Sequence, residues 1–410
     1  MLANESRIAA HIQELSKCTA TTGEGVTRLT YSKEDIQARD YIKAKMKEYN
    51  LQVYEDGLGN IFGKLAAKNN DAPSVIIGSH FDSVPHGGAY DGTAGVVVGL
   101  EVAALYQENN LKPTAPLEII AMVEEEGTRF GGGLLGSRSI VGDVSDEDLS
   151  TIKDKDGISI RAAMEEAQLT PRVPRKREGN TIRAFLEMHI EQGPILEEKN
   201  IPIGVVQSII GLMQLKVTIQ GQAGHAGTTP MNKRADALVA ASSIIRQLPS
   251  LAEETGEETV VTTGSLQVYP NGANVIPGKV EFTVDIRSGE EKDVLHALEK
   301  VKSTIHAQEV AGVKVAFEQK TYIPPKSLDP SIRKLLVQKS DTLGIPSCSI
   351  NSGAGHDAMI LSDVTETGMV FIPSKDGLSH CPEEFSDIKD IASSVNILYE
   401  ASKTLTEEAE

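Results

Sequence analysis

The chain has 410 residues, 40% of them apolar, and a formal net charge of −18. Such a length exceeds what one core usually serves, so two domains are expected, while the acidity argues against a nucleic-acid or anionic-membrane partner, because phosphates are met by clustered Lys and Arg. No apolar run approaches the ~20 residues of a membrane span, residues 1–7 lack the basic head of a secretion signal, and three cysteines (Cys18, Cys348, Cys381) suit a reducing cytoplasm.

In chain order, Ser32 caps a predicted helix with Asp35 in its first turn and Ala38, Ile42, Met46 and Tyr49 along one face. Residues 56–60 make a turn and 61–65 a short strand. The apolar run Val75, Ile76, Ile77 reads as a buried strand leading into Gly-Ser-His-Phe-Asp-Ser-Val at 78–84. A glycine-flanked turn at 87–92 follows, then a helix over 95–105 that is apolar nearly all round. The next strand covers 117–123 and ends in Glu124, Glu125, Glu126. Residues 170–180, rich in Pro and Arg, read as a surface loop. This alternation predicts an α/β fold with a mixed, mostly parallel sheet and helices on both faces.

Around Ser208 the pattern changes. Leu215, Val217 and Ile219 alternate with polar residues, as do Val280, Phe282, Val284 and Ile286, which predicts strands with one wet face. Helices are expected over 234–248 and 290–310, and a strand over 313–317. These make a smaller α+β domain at 210–325, inserted between segments 1–209 and 326–410.

Five residues are candidate metal ligands: His80, Asp91, Glu126, His189 and His380. All but Asp91 follow or end a strand-like run, and Asp91 opens the next helix; in open α/β sheets, sites assemble at the carboxyl ends of strands. Singly, each has a plain alternative. A histidine beside a strand end is ordinarily satisfied by loop hydrogen bonds, and three successive glutamates ordinarily form a solvated face. Here the glutamates directly follow a buried strand, where three charges are costly without cations. Asp91 is the natural bridge between two ions, and three histidines with carboxylates suit zinc, manganese or cobalt better than magnesium or calcium.

Five motifs carry a resemblance: Gly-Ser-His-Phe-Asp-Ser-Val at 78–84, Glu-Glu-Gly-Thr-Arg-Phe at 125–130, His-Ile-Glu-Gln-Gly at 189–193, Gly-His-Ala-Gly-Thr-Thr-Pro-Met at 224–231 and Ser-Gly-Ala-Gly-His-Asp-Ala at 352–358. With them, nearly the whole chain resembles the metal-dependent amidohydrolases that cleave N-carbamoyl-L-amino acids, allantoate and related ureido acids. These are kin to dinuclear aminoacylases and carboxypeptidases. The resemblance implies two divalent ions (Mn2+, Zn2+ or Co2+) on the five ligands with Asp91 bridging, and Glu125 as general base. It implies substrate contacts from Gln192, His225, Asn274, Arg287, Ala354 and Gly355, with His225 also catalytic. It further implies that segments 1–209 and 326–410 form the catalytic domain and that the inserted domain is a ferredoxin-like lid and dimerisation domain, through which a homodimer is joined.

A ureido carbonyl is fed by two nitrogens and is a poor electrophile, so its hydrolysis needs an activated water, a polarised oxygen and a proton for the departing nitrogen. Glu125 and Glu126 are adjacent, so a turn must aim both inward. An Arg287 guanidinium can meet a substrate carboxylate in two parallel hydrogen bonds. An aminoacylase or dipeptidase on the same metal core is the alternative. A non-catalytic binding protein would lack a ligand or the base, and none is missing.

Overall fold

The computed structural model describes residues 2–256, 258–310 and 312–407. Two compact units divide the chain. The larger comprises Met1–Gln207, Leu328–Ile350 and Ala354–Glu410, the smaller Ser208–Ser327 with Asn351–Gly353.

In the larger unit, strands run in the spatial order Gln52–Glu55, Ile61–Leu65, Leu117–Met122, Ser74–His80, Ile182–Ile190, Glu366–Ile372 and Ile203–Ile209. The four from Leu117–Met122 to Glu366–Ile372 are parallel, and the outer pairings are antiparallel. This is an α/β fold on a mixed sheet with a parallel core. Parallel strands covered on both faces need continuous apolar runs rather than alternation. Ser74–His80 and Leu117–Met122 are buried at every residue.

Helix Thr93–Glu108 packs on Ser74–His80 and on the last helix, Ile388–Glu407. Its residues from Thr93 to Tyr106 are all buried, as its nearly all-round apolar sequence requires, and the one buried acid, Glu101, is paired with Arg7 at 2.6 Å. Helix Lys33–Glu48 starts where Ser32 accepts the Asp35 N–H at 3.2 Å, and it buries Ala38, Ile42 and Met46. Each fully buried aliphatic side chain of this kind contributes ~1.5–3 kcal/mol. The Arg-rich stretch 170–180 is a loop with a tether: Arg177 donates at 2.8 Å to Glu118, an acid buried in the central sheet.

The smaller unit is an antiparallel sheet in the order Leu266–Tyr269, Lys279–Ser288, Gly211–Gln220, Lys314–Ile323. Helices Ala237–Ile245, Leu248–Glu253 and Glu291–His306 connect the strands. Met213, Leu215, Val217 and Ile219 join Val280, Phe282, Val284 and Ile286 in a core closed by Ala241, Ile244, Val294 and Val301. The succession strand, helices, strand, strand, helix, strand in that spatial order is ferredoxin-like. The helix expected over 234–248 is shorter, Ala237–Ile245, and a second helix begins at Leu248. Asp236 caps the first, and Pro249, in the first turn of the second, has no N–H to offer and would clash with the preceding turn of a continuous helix. The expected strand 313–317 extends to Ile323, and the expected helix 290–310 stops at His306. The chain enters and leaves this unit side by side, with Leu212 opposite Ile323 and Ser208 opposite Ser327. No helix among the described residues is long and apolar enough to cross a membrane.

Candidate metal centre

His80 is the last residue of its strand, and His189 lies one residue before the end of the neighbouring parallel strand. Their Nε2 atoms are 3.4 Å apart. Each ring is turned by its other nitrogen: Nδ1 of His80 lies 3.2 Å from the Asp82 carbonyl, and Nδ1 of His189 lies 3.0 Å from the Ile190 carbonyl. A carbonyl can only accept, so Nδ1 carries the proton and Nε2 presents a lone pair. Between the rings stands Asp91, in the turn before helix Thr93–Glu108. Its Oδ1 is 3.5 Å from His80 Nε2 and 3.1 Å from His189 Nε2. Its Oδ2 is 3.3 Å from His380 Nε2, which in turn is 3.5 Å from Glu126 Oε2. The two carboxylate oxygens of Asp91 thus face two different sets of ligands.

Three sets converge closely enough to hold an ion: His80, Asp91 and His189; Asp91, Glu126 and His380; and His80, Glu125 and Glu126. The donors are imidazole nitrogens and carboxylate oxygens, the set that first-row divalent ions prefer. Glu126 Oε1 is buried with no hydrogen-bond partner among the described residues, as suits an atom reserved for a cation. The residues present therefore fit a dinuclear centre. His80, Asp91 Oδ1 and His189 would hold one ion, and Asp91 Oδ2, Glu126 and His380 the other.

Electrostatics point the same way. In the metal-free chain, burial raises Glu125 well above the ordinary carboxylate range, with the Asp357 and Glu126 charges adding to it against His80. Burial and the Asp91 charge push Glu126 up to about 7. Burial opposes the charge of Asp91 as well, yet the imidazoles of His189, His380 and His80 hold it well below its usual value. The hydrogen bond to Asp91 pushes His380 up to about 9. Protons here stand in for cations, since metal binding displaces them from the ligands.

The turn that aims Glu125 and Glu126 together begins at Glu124, whose φ of +52° breaks the alternation of an extended chain. Glu124 itself turns away, its carboxylate taking the N–H groups of Phe130 and Arg129 at 2.7 and 3.1 Å. The expectation that three adjacent glutamates all call for cations is corrected on that point: only two face the centre. His380 also departs from expectation. It lies eight residues beyond the end of Glu366–Ile372, in a loop, with a left-handed φ of +57°.

A cavity of about 390 Å³ opens on the cluster, lined by Asp91, Glu125, Glu126, His189, Gln192 and His380 and floored by Gly132, Gly133, Ala354 and Gly355. A larger cleft of about 1000 Å³, beside Tyr54 and Arg175, holds no converging set of ligands, so chemistry rather than size locates the site. Gln192, expected to meet substrate, donates its amide N–H to Asp91 Oδ2 at 2.9 Å, while its Oε1 is left with no partner among the described residues. Its amide is therefore divided: the N–H side holds Asp91, and the oxygen is unpaired among the described residues. His356 lies against the His189 ring, centroids 4.5 Å apart.

Three of the expected residues belong to the smaller unit. His225 pairs in register with Val275, and Ala226 donates to the Asn274 carbonyl at 2.9 Å, so His225 and Asn274 are neighbours. The His225 Nδ1 accepts the N–H groups of Gly227 and Thr228 at 3.0 and 3.3 Å. The neutral ring therefore carries its proton on Nε2, as a donor. Arg287 lies on the strand Lys279–Ser288 and donates to Asp285 at 2.8 Å.

Sequence reasoning passed over Asp82 and Ser379. Asp82 accepts the N–H of Glu125 at 3.1 Å and of Glu126 at 3.3 Å, and its Oδ1 lies 3.6 Å from His80 Nδ1. Its position two residues after His80 was the available signal. Ser379 Oγ is 2.8 Å from Asp91 Oδ2, and its place beside His380 gave no comparable hint.

Residues 76–404 match the family model described as Peptidase family M20/M25/M40. The chain is 42% identical over 406 residues to an N-carbamoyl-L-amino-acid amidohydrolase of Paenarthrobacter aurescens, covering 98% of each. It is 34% identical to an allantoate amidohydrolase of Bacillus subtilis, covering 97% of each. Among solved structures, an amidase of the hydantoinase/carbamoylase family from Burkholderia multivorans superposes with a TM-score of 0.92 at 35% identity, over 99% of this chain and 98% of that one.

Proposed function

The chain belongs to peptidase family M20/M25/M40, among its hydantoinase/carbamoylase amidases, and we propose that it hydrolyses the carbamoyl C–N bond of an N-carbamoyl-L-amino acid or of the ureido acid allantoate. Water adds to the carbamoyl carbon, the C–N bond to the substrate's remaining nitrogen breaks, and the carbamate released falls to ammonia and carbon dioxide. Two divalent ions, manganese, zinc or cobalt, would supply polarisation of the carbonyl and a water made nucleophilic near neutral pH.

The chain's own residues do the rest. Glu125, largely buried beside His80 at 3.7 Å, takes the water's proton and delivers it to the departing nitrogen. His225, with its proton on Nε2, donates to the developing oxyanion; one such donor is worth on the order of 10²–10³ in rate. Gln192 accepts an N–H of the substrate through Oε1. Arg287 exchanges Asp285 for the substrate carboxylate, and Asn274 adds a hydrogen bond. Ala354 and Gly355 offer backbone and no bulk. A homodimer through the smaller unit and a cytoplasmic location belong to the same reading, and sedimentation of the purified protein checks the first.

The observation that carries the proposal is Glu125, an acid that is the neighbour of one ligand and in contact with another at the mouth of the same cavity. The test is ammonia release from allantoate and a panel of N-carbamoyl amino acids after manganese is restored to metal-stripped protein. Cleavage of N-acetyl amino acids or dipeptides, with no ammonia from any carbamoyl compound, would instead favour an aminoacylase or dipeptidase on the same metal core.

A further inference from the structure

We propose that Glu384 is a positioning residue for the bridging carboxylate, gripping both the peptide and the side chain of Asp91; this rests on the dinuclear reading above. Glu384 lies four residues beyond His380 and is 5% exposed. Its Oε1 accepts the N–H of Tyr90 at 2.9 Å and of Asp91 at 3.0 Å. Ser379 Oγ stands 3.0 Å from Glu384 Oε2 and 2.8 Å from Asp91 Oδ2, so the hydroxyl's one proton is donated to one of the two acids at a time.

One buried acid thus reaches the bridge by two routes. The first fixes the backbone from which Asp91 projects. The second is Ser379, which stands between the two acids with its single proton in reach of Oδ2, the oxygen that faces His380, and leaves Oδ1 to His80 and His189. A bridging carboxylate works only if its two oxygens stay aimed at different ions, so rotation about its side-chain bonds has to be prevented. Gln192 bonds the same Oδ2 at 2.9 Å and supports the same orientation. Gly88 makes the reach possible, because a Cβ there would overlap the Glu384 carboxyl group. Burying an acid is costly unless it is fully hydrogen-bonded. The N–H groups of Tyr90 and Asp91 and, when its proton is turned that way, the Ser379 hydroxyl meet that condition, and all three belong to, or adjoin, loops that carry candidate ligands. The competing account is a staple that merely ties the 379–384 loop to the 88–91 turn.

Manganese affinity separates the two accounts. Calorimetric titration of Mn2+ into metal-stripped protein is compared for the parent chain, Glu384→Ala, Glu384→Gln, Ser379→Ala and the exposed neighbour Glu383→Ala. Melting of the metal-free forms and the exchange-coupled electron paramagnetic resonance signal of a manganese pair are recorded alongside. Glu384→Ala should stay folded, bind manganese about 10–100-fold more weakly, as loss of an outer hydrogen-bond partner does, and lose the coupled signal at subsaturating metal. Glu384→Gln keeps acceptor oxygen for the two N–H groups and should recover part of the affinity, and Glu383→Ala should match the parent. Parent-like affinity and coupling in Glu384→Ala, whatever its melting temperature, would overturn the proposal. Should that variant fail to fold, Ser379→Ala decides: a several-fold loss of affinity supports the side-chain route, and an unchanged affinity removes it. A parent chain that binds no manganese at all would instead sink the dinuclear reading itself.

Discussion

The Asp82 carboxylate accepts the backbone N–H of Glu125 at 3.1 Å, so the residue two places after His80 shapes the turn that carries Glu125, the proposed base. It accepts the next N–H, that of ligand Glu126, as well. Asp82→Ala should therefore lower manganese affinity by about 10–100-fold, in line with outer-partner losses elsewhere, and lower kcat further at saturating metal because Glu125 is no longer held. Titration calorimetry and steady-state kinetics at high manganese check the two parts separately.

Glu125→Gln preserves shape and removes the proton acceptor. The variant should bind manganese as the parent does while turnover falls by about 10²–10⁴. Metal content by atomic absorption, read beside ammonia release, tests the pair of expectations, and near-normal turnover would remove Glu125 from the chemistry.

Gly92→Ala should empty the centre. Gly92 has a φ of +56°, and a Cβ there would overlap the His80 imidazole. This positive-φ backbone is itself strained for a residue with a side chain, and relief of the overlap displaces His80. Reduced metal stoichiometry together with a lower Tm is the expected result.

Acid should destabilise the larger unit through His11, a group remote from the metal ligands. This ring is 3% exposed, between the hydroxyls of Tyr41 and Tyr49 at 2.7 and 3.0 Å. Burial, with the nearby Lys45 and Arg7 charges, lowers it to about 4. The unfolded chain takes up a proton below about pH 6.5 that the folded chain refuses until about pH 4. The neutral ring's contribution is thus complete above pH 6.5 and is lost on descending to pH 4, amounting to ~3 kcal/mol. Urea unfolding at several pH values should show a steeper loss for the parent than for His11→Gln across that window.

Four of the five candidate ligands were legible because each carries a local signature. His80 and His189 terminate apolar runs, Asp91 sits in a glycine-rich turn, and Glu126 follows a buried strand. The smaller unit was legible from alternation, which fixes a face residue by residue. What could not be read depends on long reach or on backbone sign. Asp82 acts on N–H groups 43 residues away in the chain, and no spacing rule links a carboxylate to a backbone that distant. Glu124 was grouped with its neighbours because nothing in three identical letters announces a left-handed first residue. The helix ending near residue 248 was overextended because Ile244, Ile245 and Leu248 keep the apolar period going up to Pro249, whereas the helix stops at Ile245, four residues before a proline that has no N–H to offer its carbonyl. Gln192 was assigned to substrate on its amide chemistry, and only coordinates show that half of that amide is taken by Asp91.

The ribbon through which the chain enters and leaves the smaller unit has Ser208 opposite Ser327 and Leu212 opposite Ile323. Directly paired antiparallel residues stand about 5 Å apart at Cα. To the remainder of the polypeptide, everything between those residues is topologically equivalent to a tight hairpin: it could be exchanged for another cassette, or cut down to a few residues, without asking any strand of the parallel core to find a new neighbour.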